Sequence, residues 1–239
     1  MKVIGIIPAR WSSTRFPGKP LADICGKPMI QHVYERAKLA ENLYDVLVAT
    51  DDKRIYDCVE SFGGKAVMTD SDLPNGTARC EQAARGYDVG GVINIQGDEP
   101  LLNPRMIDEV TELLGGAHCS TLCRELTGDI DNPNTVKVVM SQYGFTLYFS
   151  RSAIPYKRNA SNLPYYQHIG IYGYRIDFLK KYVSLPPTPL SDAESLEQLK
   201  ILEHGYSIKV KVTECREESI GVDTPEDLER VRALMNAEI

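Results

Sequence analysis

The sequence predicts an α/β fold: a mostly parallel sheet with helices on both faces and a smaller, β-rich lobe inserted over its active edge. Two observations carry this expectation. Up to about residue 115, β-like runs alternate with helical patterns across short connections, the signature of repeated crossover units. Beyond about residue 117 the alternation gives way to closely spaced β-like runs, as in an antiparallel insertion.

Taken in order, "VIGIIP" leads to a helix around Met29 to Ala40 and "VLVAT" to one around Arg54 to Phe62. "KAVMT" leads to a helix around Thr77 to Gly86, and "GVINIQG" to one around Pro104 to Leu114. Ligands of such sheets bind beyond the carboxyl ends of the strands, where "PARWSSTR", "TDD" and "QGDEP" fall. "STLCREL" follows, then "TVKVVM" and "FTLYFSR" flanking the turn-like "SQYG" as a hairpin. "HIGIYGYR" reads as a strand, and "AESLEQLKILEHG" as a helix ending on a glycine cap. The chain returns through "SIKVKVT" to a last helix in "VDTPEDLERVRALM", where Thr224 suits the N-cap and Pro225 the first helical position. The expected organisation is one domain over 1–239: a parallel half at 1–115, a β-rich lobe at 116–205, and a return strand and helix at 206–239.

With 43% hydrophobic residues, a chain of 239 can build a substantial core. A formal net charge of −6 argues against a nucleic-acid partner, which calls for a basic surface. No run approaches the roughly 20 apolar residues of a membrane span, and Met1 to Ile4 enter a strand directly, so no membrane partner and a cytoplasmic location are expected. The six cysteines are scattered singly, which suits reduced thiols. His118, Cys119 and Cys123 lack a second ligand pair nearby and alternate like a strand, which disfavours zinc.

The first loop fits neither a glycine-rich dinucleotide turn nor a Walker loop. It carries three cations, Arg10, Arg15 and Lys19, with Ser12, Ser13, Thr14 and the intervening amides as neutral donors. A triphosphate matches that mixture best; the plainer alternative is a basic surface turn stiffened by proline. Asp98 and Glu99 stand where a buried strand emerges, and a carboxylate there can hold Mg²⁺ against a polyphosphate. Asp223 stands at a helix entrance, equally compatible with metal binding and with capping.

Together, "IPARWSSTRFPGKPLADICGKPMIQHV", "VATDD", "NGTAR", "NIQGDEP", "LYFSRSAIPY", "HIGIYGYR", "LEQLKILEHG" and "GVDTPEDLERV" resemble the 3-deoxy-manno-octulosonate cytidylyltransferases over essentially the whole chain. The resemblance implies a Rossmann-like sheet and transfer of CMP from CTP to the anomeric hydroxyl of the eight-carbon acid sugar Kdo, with Mg²⁺, for lipopolysaccharide synthesis. It implies a homodimer, a nucleotide-binding half at 1–115 and a sugar-binding and dimerisation lobe at 116–205. On these residues it places Arg10 and Lys19 on the phosphates, with Ser12, Ser13 and Arg15 nearby, and Asp98 and Asp223 on the metal. These two aspartates, Arg10 and Lys19 form the implied catalytic set. Pro8 and Ala9 would meet the cytosine, with Thr77, Arg79 and Gln96 completing the nucleotide side. Arg151, Arg158, His168, Tyr172, Glu197 and Gln198 would line the sugar pocket, cations taking the carboxylate and neutral or acidic groups reading hydroxyls. The residues also allow a core role for His168 and Tyr172 and a solvated one for Glu197.

The family usually carries an acid between the Thr and Arg of its "GT-acid-R" motif, where this chain has Ala78. That acid's interaction is missing here or supplied elsewhere. Rival readings are transfer to an amino-Kdo or a sialic acid, a non-catalytic nucleotide-binding module, and an NAD-dependent dehydrogenase. The last would need the glycine-rich turn that this chain lacks, although Asp51 and Asp52 imitate its ribose ligand.

Overall fold

A computed structural model describes residues 1–12, 16–216 and 220–237. β1 (Val3–Ala9) is followed by a 3₁₀ turn (Lys19–Leu21), a short ribbon of β2 (Asp23–Ile24) and β3 (Lys27–Pro28), and α1 (Met29–Ala37). The alternation continues through β4 (Asp45–Thr50), α2 (Lys53–Ser61), β5 (Ala66–Met68), α3 (Gly76–Ala84), β6 (Gly91–Asn94) and α4 (Pro104–Leu114). Then come β7 (Cys119–Glu125), β8 (Lys137–Met140), β9 (Thr146–Ser150), β10 (Tyr166–Arg175), α5 (Ile176–Ser184), α6 (Pro189–Glu194), α7 (Leu199–Glu203), β11 (Lys209–Val212) and α8 (Pro225–Ala237).

The sequence explains where these elements begin. Every residue of β4 and β6 is buried, as strands covered on both faces must be. Asp52, Asn75 and Asn103 end the preceding loops, and their side chains accept from Arg54 N, Ala78 N and Arg105 N to cap α2, α3 and α4. α8 is capped as expected: Asp227 N donates to Thr224 Oγ1, while Asp227 Oδ2 accepts from the Thr224 amide.

β1 pairs in parallel with both β4 and β6, and β4 with β5. The chain therefore runs outward on one side of β1 and returns on the other, leaving a crevice between β1 and β6 where the strand order reverses. One face of the sheet packs Ile30, Ile55 and Met106 from α1, α2 and α4. The other packs Cys80, Phe178 and Leu199 from α3, α5 and α7, so helices cover both faces.

Two features differ from the sequence expectation. Within 116–205, β7 and β10 join the main sheet, β10 running antiparallel between β6 and β7; the β8–β9 hairpin lies off that path. The apolar stretch Cys119–Cys123 is wholly buried and needs cover on both faces, which a small separate lobe would not give. The helix expected in "AESLEQLKILEHG" is two short ones, broken at Ser195 in the left-handed region (φ 50°). The break lets Leu196 turn into the core and places Glu197 and Gln198 beside it at a cavity.

Candidate functional site

The crevice is assembled from chain segments far apart in sequence. β1 delivers Pro8, Ala9 and Arg10, and the turn after it delivers Lys19. The end of β6 delivers Gln96, Gly97 and Asp98, and the start of α3 delivers Asn75 and Gly76; with Ser12 and Pro20 these residues line a cavity of about 430 Å³. A Cβ added at Gly97 would lie 2.9 Å from Pro8 O, so only glycine lets the two strand ends approach this closely.

Lys19 holds the acidic side together. Its Nζ donates to Asp98 Oδ2 and to Val222 O, both at 2.7 Å, and lies 3.5 Å from Asp223 Oδ1. Val222 N in turn donates to Asp98 O at 2.8 Å. Backbone and side-chain bonds thus join the β6 loop to the entrance of α8, although Asp98 and Asp223 are widely separated in sequence. The small apolar cluster of Ile24, Met29, Val222, Leu228 and Val231 anchors α8 against the β2–β3 ribbon, which fixes Asp223. Lys19 is nearly enclosed, whereas Asp98 and Asp223 have 31% and 50% of their side chains exposed. Asp98 thus lines the cavity and Asp223 approaches the same cationic nitrogen, two hard oxygen donors about one ammonium. Arg10 is held by donation from Nη2 to Leu73 O at 2.7 Å. Ser13 and Arg15 lie outside the described residues, as does Thr14.

A second cavity of about 310 Å³ shares Pro8, Gly76 and Gln96 with the first. Its other lining residues include Thr77, Asn94, Tyr172, Glu197 and Gln198. Gln96 spans the boundary and donates from Nε2 to Gly170 O at 2.9 Å. Asn94 and Tyr172 face each other across the β6–β10 ladder, and both are buried, yet Asn94 Oδ1 and Tyr172 Oη have no hydrogen-bond partner. Orphaned buried polar atoms cost about 1–3 kcal/mol each, and a cavity-lining pair of them marks a place where a ligand's polar groups would be satisfied. Asn94 escapes a reading of the sequence because it sits inside an apolar strand; its signal is the two-residue spacing to Gln96, which puts both on one face.

His168 stands behind this wall, 4.9 Å from the Phe149 ring and 5.3 Å from that of Tyr172. Burial pushes its imidazole down to about 3. Thr121 Oγ1 spends its hydrogen on the Ile171 or Ile169 carbonyl, so it accepts from His168 Nε2 at 3.0 Å; His168 is then neutral with Nδ1 unprotonated.

Several residues assigned by resemblance stand elsewhere. Arg79 is fully buried, its guanidinium donating to Thr69 Oγ1 and to Asp51 Oδ2 (3.1 Å), a strut between α3 and the end of β4. Burial lowers its pKa against the opposing pull of Asp51. Asp51 is thereby occupied, and Asp52 caps α2, so neither presents a ribose ligand. Arg151 is committed to backbone carbonyls, donating to Glu194 O (2.7 Å), Pro133 O (2.9 Å) and Ser195 O (3.3 Å). Arg158 is exposed and lines neither cavity. Beside Arg151, Glu194 accepts from Ser150 Oγ (2.6 Å) and Arg151 N (2.9 Å), tying α6 to the end of β9. Among the described residues, no cluster of three or more metal-ligating side chains occurs, the zinc candidates included.

A switch-point crevice with cations and carboxylates at its mouth, on this sheet, is that of a nucleotidyltransferase. A family model described as cytidylyltransferase matches residues 4–213, and the chain belongs to that family. It is 50% identical to a 3-deoxy-manno-octulosonate cytidylyltransferase of Thermodesulfovibrio yellowstonii, covering 99% of each chain. It is also 48% identical to an 8-amino-3,8-dideoxy-manno-octulosonate cytidylyltransferase of Shewanella amazonensis, covering 96% of this chain and 97% of that one. Among solved structures, a CMP:2-keto-3-deoxy-manno-octonic acid synthetase complexed with CTP superposes with a TM-score of 0.95 at 45% identity over 100% of both chains.

Proposed function

We propose that the protein transfers CMP from CTP to the anomeric hydroxyl of Kdo, releasing pyrophosphate. The observation that carries this reading is the pair of adjoining cavities. One is lined by Arg10, Lys19 and Asp98, with Asp223 3.5 Å from the Lys19 ammonium; the other is lined largely by neutral polar and aromatic groups, and the two share the Pro8, Gly76 and Gln96 wall.

Pro8 and Ala9 would border the cytosine, and Arg10 and Lys19 would take the phosphates. The sugar would occupy the second cavity against Asn94, Tyr172, Glu197 and Gln198. The carboxylates of Asp98 and Asp223, gathered about the Lys19 ammonium, fit a hard divalent cation such as Mg²⁺, which commonly takes one or two protein carboxylates and completes its shell with phosphate oxygens and water. Bound there, it would offset phosphate charge and acidify the attacking hydroxyl. The reaction is an in-line displacement: the sugar oxygen bonds to the α-phosphorus, the bond to the β-phosphate bridging oxygen breaks, and the hydroxyl proton passes to solvent. The chain's contribution is to position both substrates and neutralise charge. His168, neutral and bonded to Thr121, orients the wall.

Pyrophosphate release with CTP, Mg²⁺ and Kdo is the test, with UTP, sialic acid and 8-amino-Kdo as comparisons. No release with any acid sugar would sink the transferase reading. Faster release with 8-amino-Kdo than with Kdo would favour the amino-sugar reading, which the Shewanella relative's near-equal identity supports. The homodimer and cytoplasmic location belong to the same proposal, and light scattering of the purified chain tests the first.

A further inference from the structure

Arg10 and Lys19 border a loop whose neck is closed. Gly18 N donates to Trp11 O at 3.0 Å, joining the residue after Arg10 to the residue before Lys19. Gly18 adopts φ +73°, and a Cβ there would lie 2.9 Å from the Trp11 ring, so the indole covers the glycine face. On Trp11, the Arg54 guanidinium carbon lies 3.3 Å from the ring centroid. Arg54 is itself fixed by two bonds to the Asp52 carboxylate, at 2.9 and 2.6 Å, and Asp52 caps α2. Phe16 O accepts from Lys19 N at 3.2 Å, and Leu21 N donates to Gly18 O at 2.9 Å, so the chain leaving the neck is also set.

We propose that Trp11, clamped by Arg54, is a positioning residue that fixes the spacing of Arg10 and Lys19 and so preorganises them for one polyphosphate. This rests on the cytidylyltransferase reading for its natural ligand, and on the neck geometry alone for its effect on polyphosphate affinity. Arg10 is held by Leu73 O and Lys19 by Asp98, on opposite sides of the neck, and a chain free at the neck would let these two anchor points drift apart. Holding them costs conformational freedom once, on folding, instead of at each binding event. Trp11 makes the neck and Arg54 acts only through it. Removing Trp11 should therefore cost more, and removing Arg54 as well should add nothing.

The test uses Trp11→Ala, Arg54→Ala, the double variant and the conservative Trp11→Phe, each checked for folding by its melting curve. Calorimetric titration with pyrophosphate and Mg²⁺ should weaken about tenfold in Trp11→Ala and about three- to fivefold in Arg54→Ala, the scale of an exposed cation–π contact. The double variant should match Trp11→Ala, and Trp11→Phe should stay within about twofold of the parent. In the coupled assay KM for CTP should rise while KM for the sugar holds, a split that a general loss of structure does not produce. Unchanged pyrophosphate affinity in folded Trp11→Ala, or additive losses in the double variant, overturns the proposal. Because pyrophosphate binding needs no sugar and no transfer, a parent that binds it but transfers nothing would leave this inference standing while the transferase reading falls.

Discussion

The two proposed binding cavities are built by opposite means. On the side proposed for the nucleotide the working groups are charged and partly exposed, and they are arranged by long-range bonds such as Lys19 to Asp98 and Val222 N to Asp98 O. On the other side, the exposed Glu197 apart, they are neutral and mostly buried, and one strand pairing sets Asn94 opposite Tyr172. Charge near solvent gives strength that depends on salt and on metal. A buried neutral wall gives selectivity, because a group that fails to match it leaves polar atoms unpaired.

The largest effect that can break this contrast lies on the charged side. Asp98→Asn should lower the rate of pyrophosphate release about a thousandfold, the scale of losing a principal electrostatic group. CTP binding without metal should hold or tighten, because Lys19 loses its acidic partner at 2.7 Å. Parallel small changes in rate and metal-free binding would mean that Asp98 holds no metal.

Next in size is a change that should spare both ligands. Arg79→Met removes the fully buried partner of Asp51, whose side chain is 14% exposed, which should cost about 3 kcal/mol of stability in urea unfolding. KM for CTP measured well below the transition should stay within about twofold. A selective rise in that KM would return Arg79 to the nucleotide site.

On the neutral side, Tyr172→Phe should raise KM for the sugar about tenfold while KM for CTP holds. It should leave the melting temperature unchanged or higher, because the hydroxyl it deletes has no partner in the folded chain. Loss of stability with no change in KM would make Tyr172 a core residue.

How much of this was legible in the sequence follows from the same contrast. The parallel half and its strand-end loops could be read because each helix start carries its own cap, such as Asn75 or Asn103, and each strand its own apolar run. Asp98 and Asp223 could be singled out by position and by family resemblance. Their convergence follows from that resemblance, which puts both on the metal; that Lys19 bridges them could not be read, because it depends on how α8 packs against the β2–β3 ribbon. Arg79 and Arg151 engage internal partners in place of the cavities for a related reason. A cation in a motif reads the same whether it meets a phosphate, a buried Asp51 or a set of carbonyls, and tertiary packing alone decides. Asn94 was missed because its one signal, the two-residue spacing to Gln96, is faint inside an otherwise apolar strand.

The smallest expected effect tests whether a titrating cation stands behind the wall of the second cavity. With the His168 imidazole pushed down to about 3 by burial, it should contribute no inflection to kcat/KM for the sugar between about pH 5 and 9. In the unfolded chain the same ring protonates near its ordinary value of about 6.5. Between those values the unfolded state holds more protons, so stability falls as the pH drops through that window and is constant above it. His168→Gln should therefore flatten part of the decline in melting temperature between about pH 6 and 4, and leave the rate profile in shape as it was. An inflection near pH 6.5 that disappears in His168→Gln would place a titrating cation in the sugar wall, and the division between a charged and a neutral cavity would fail there.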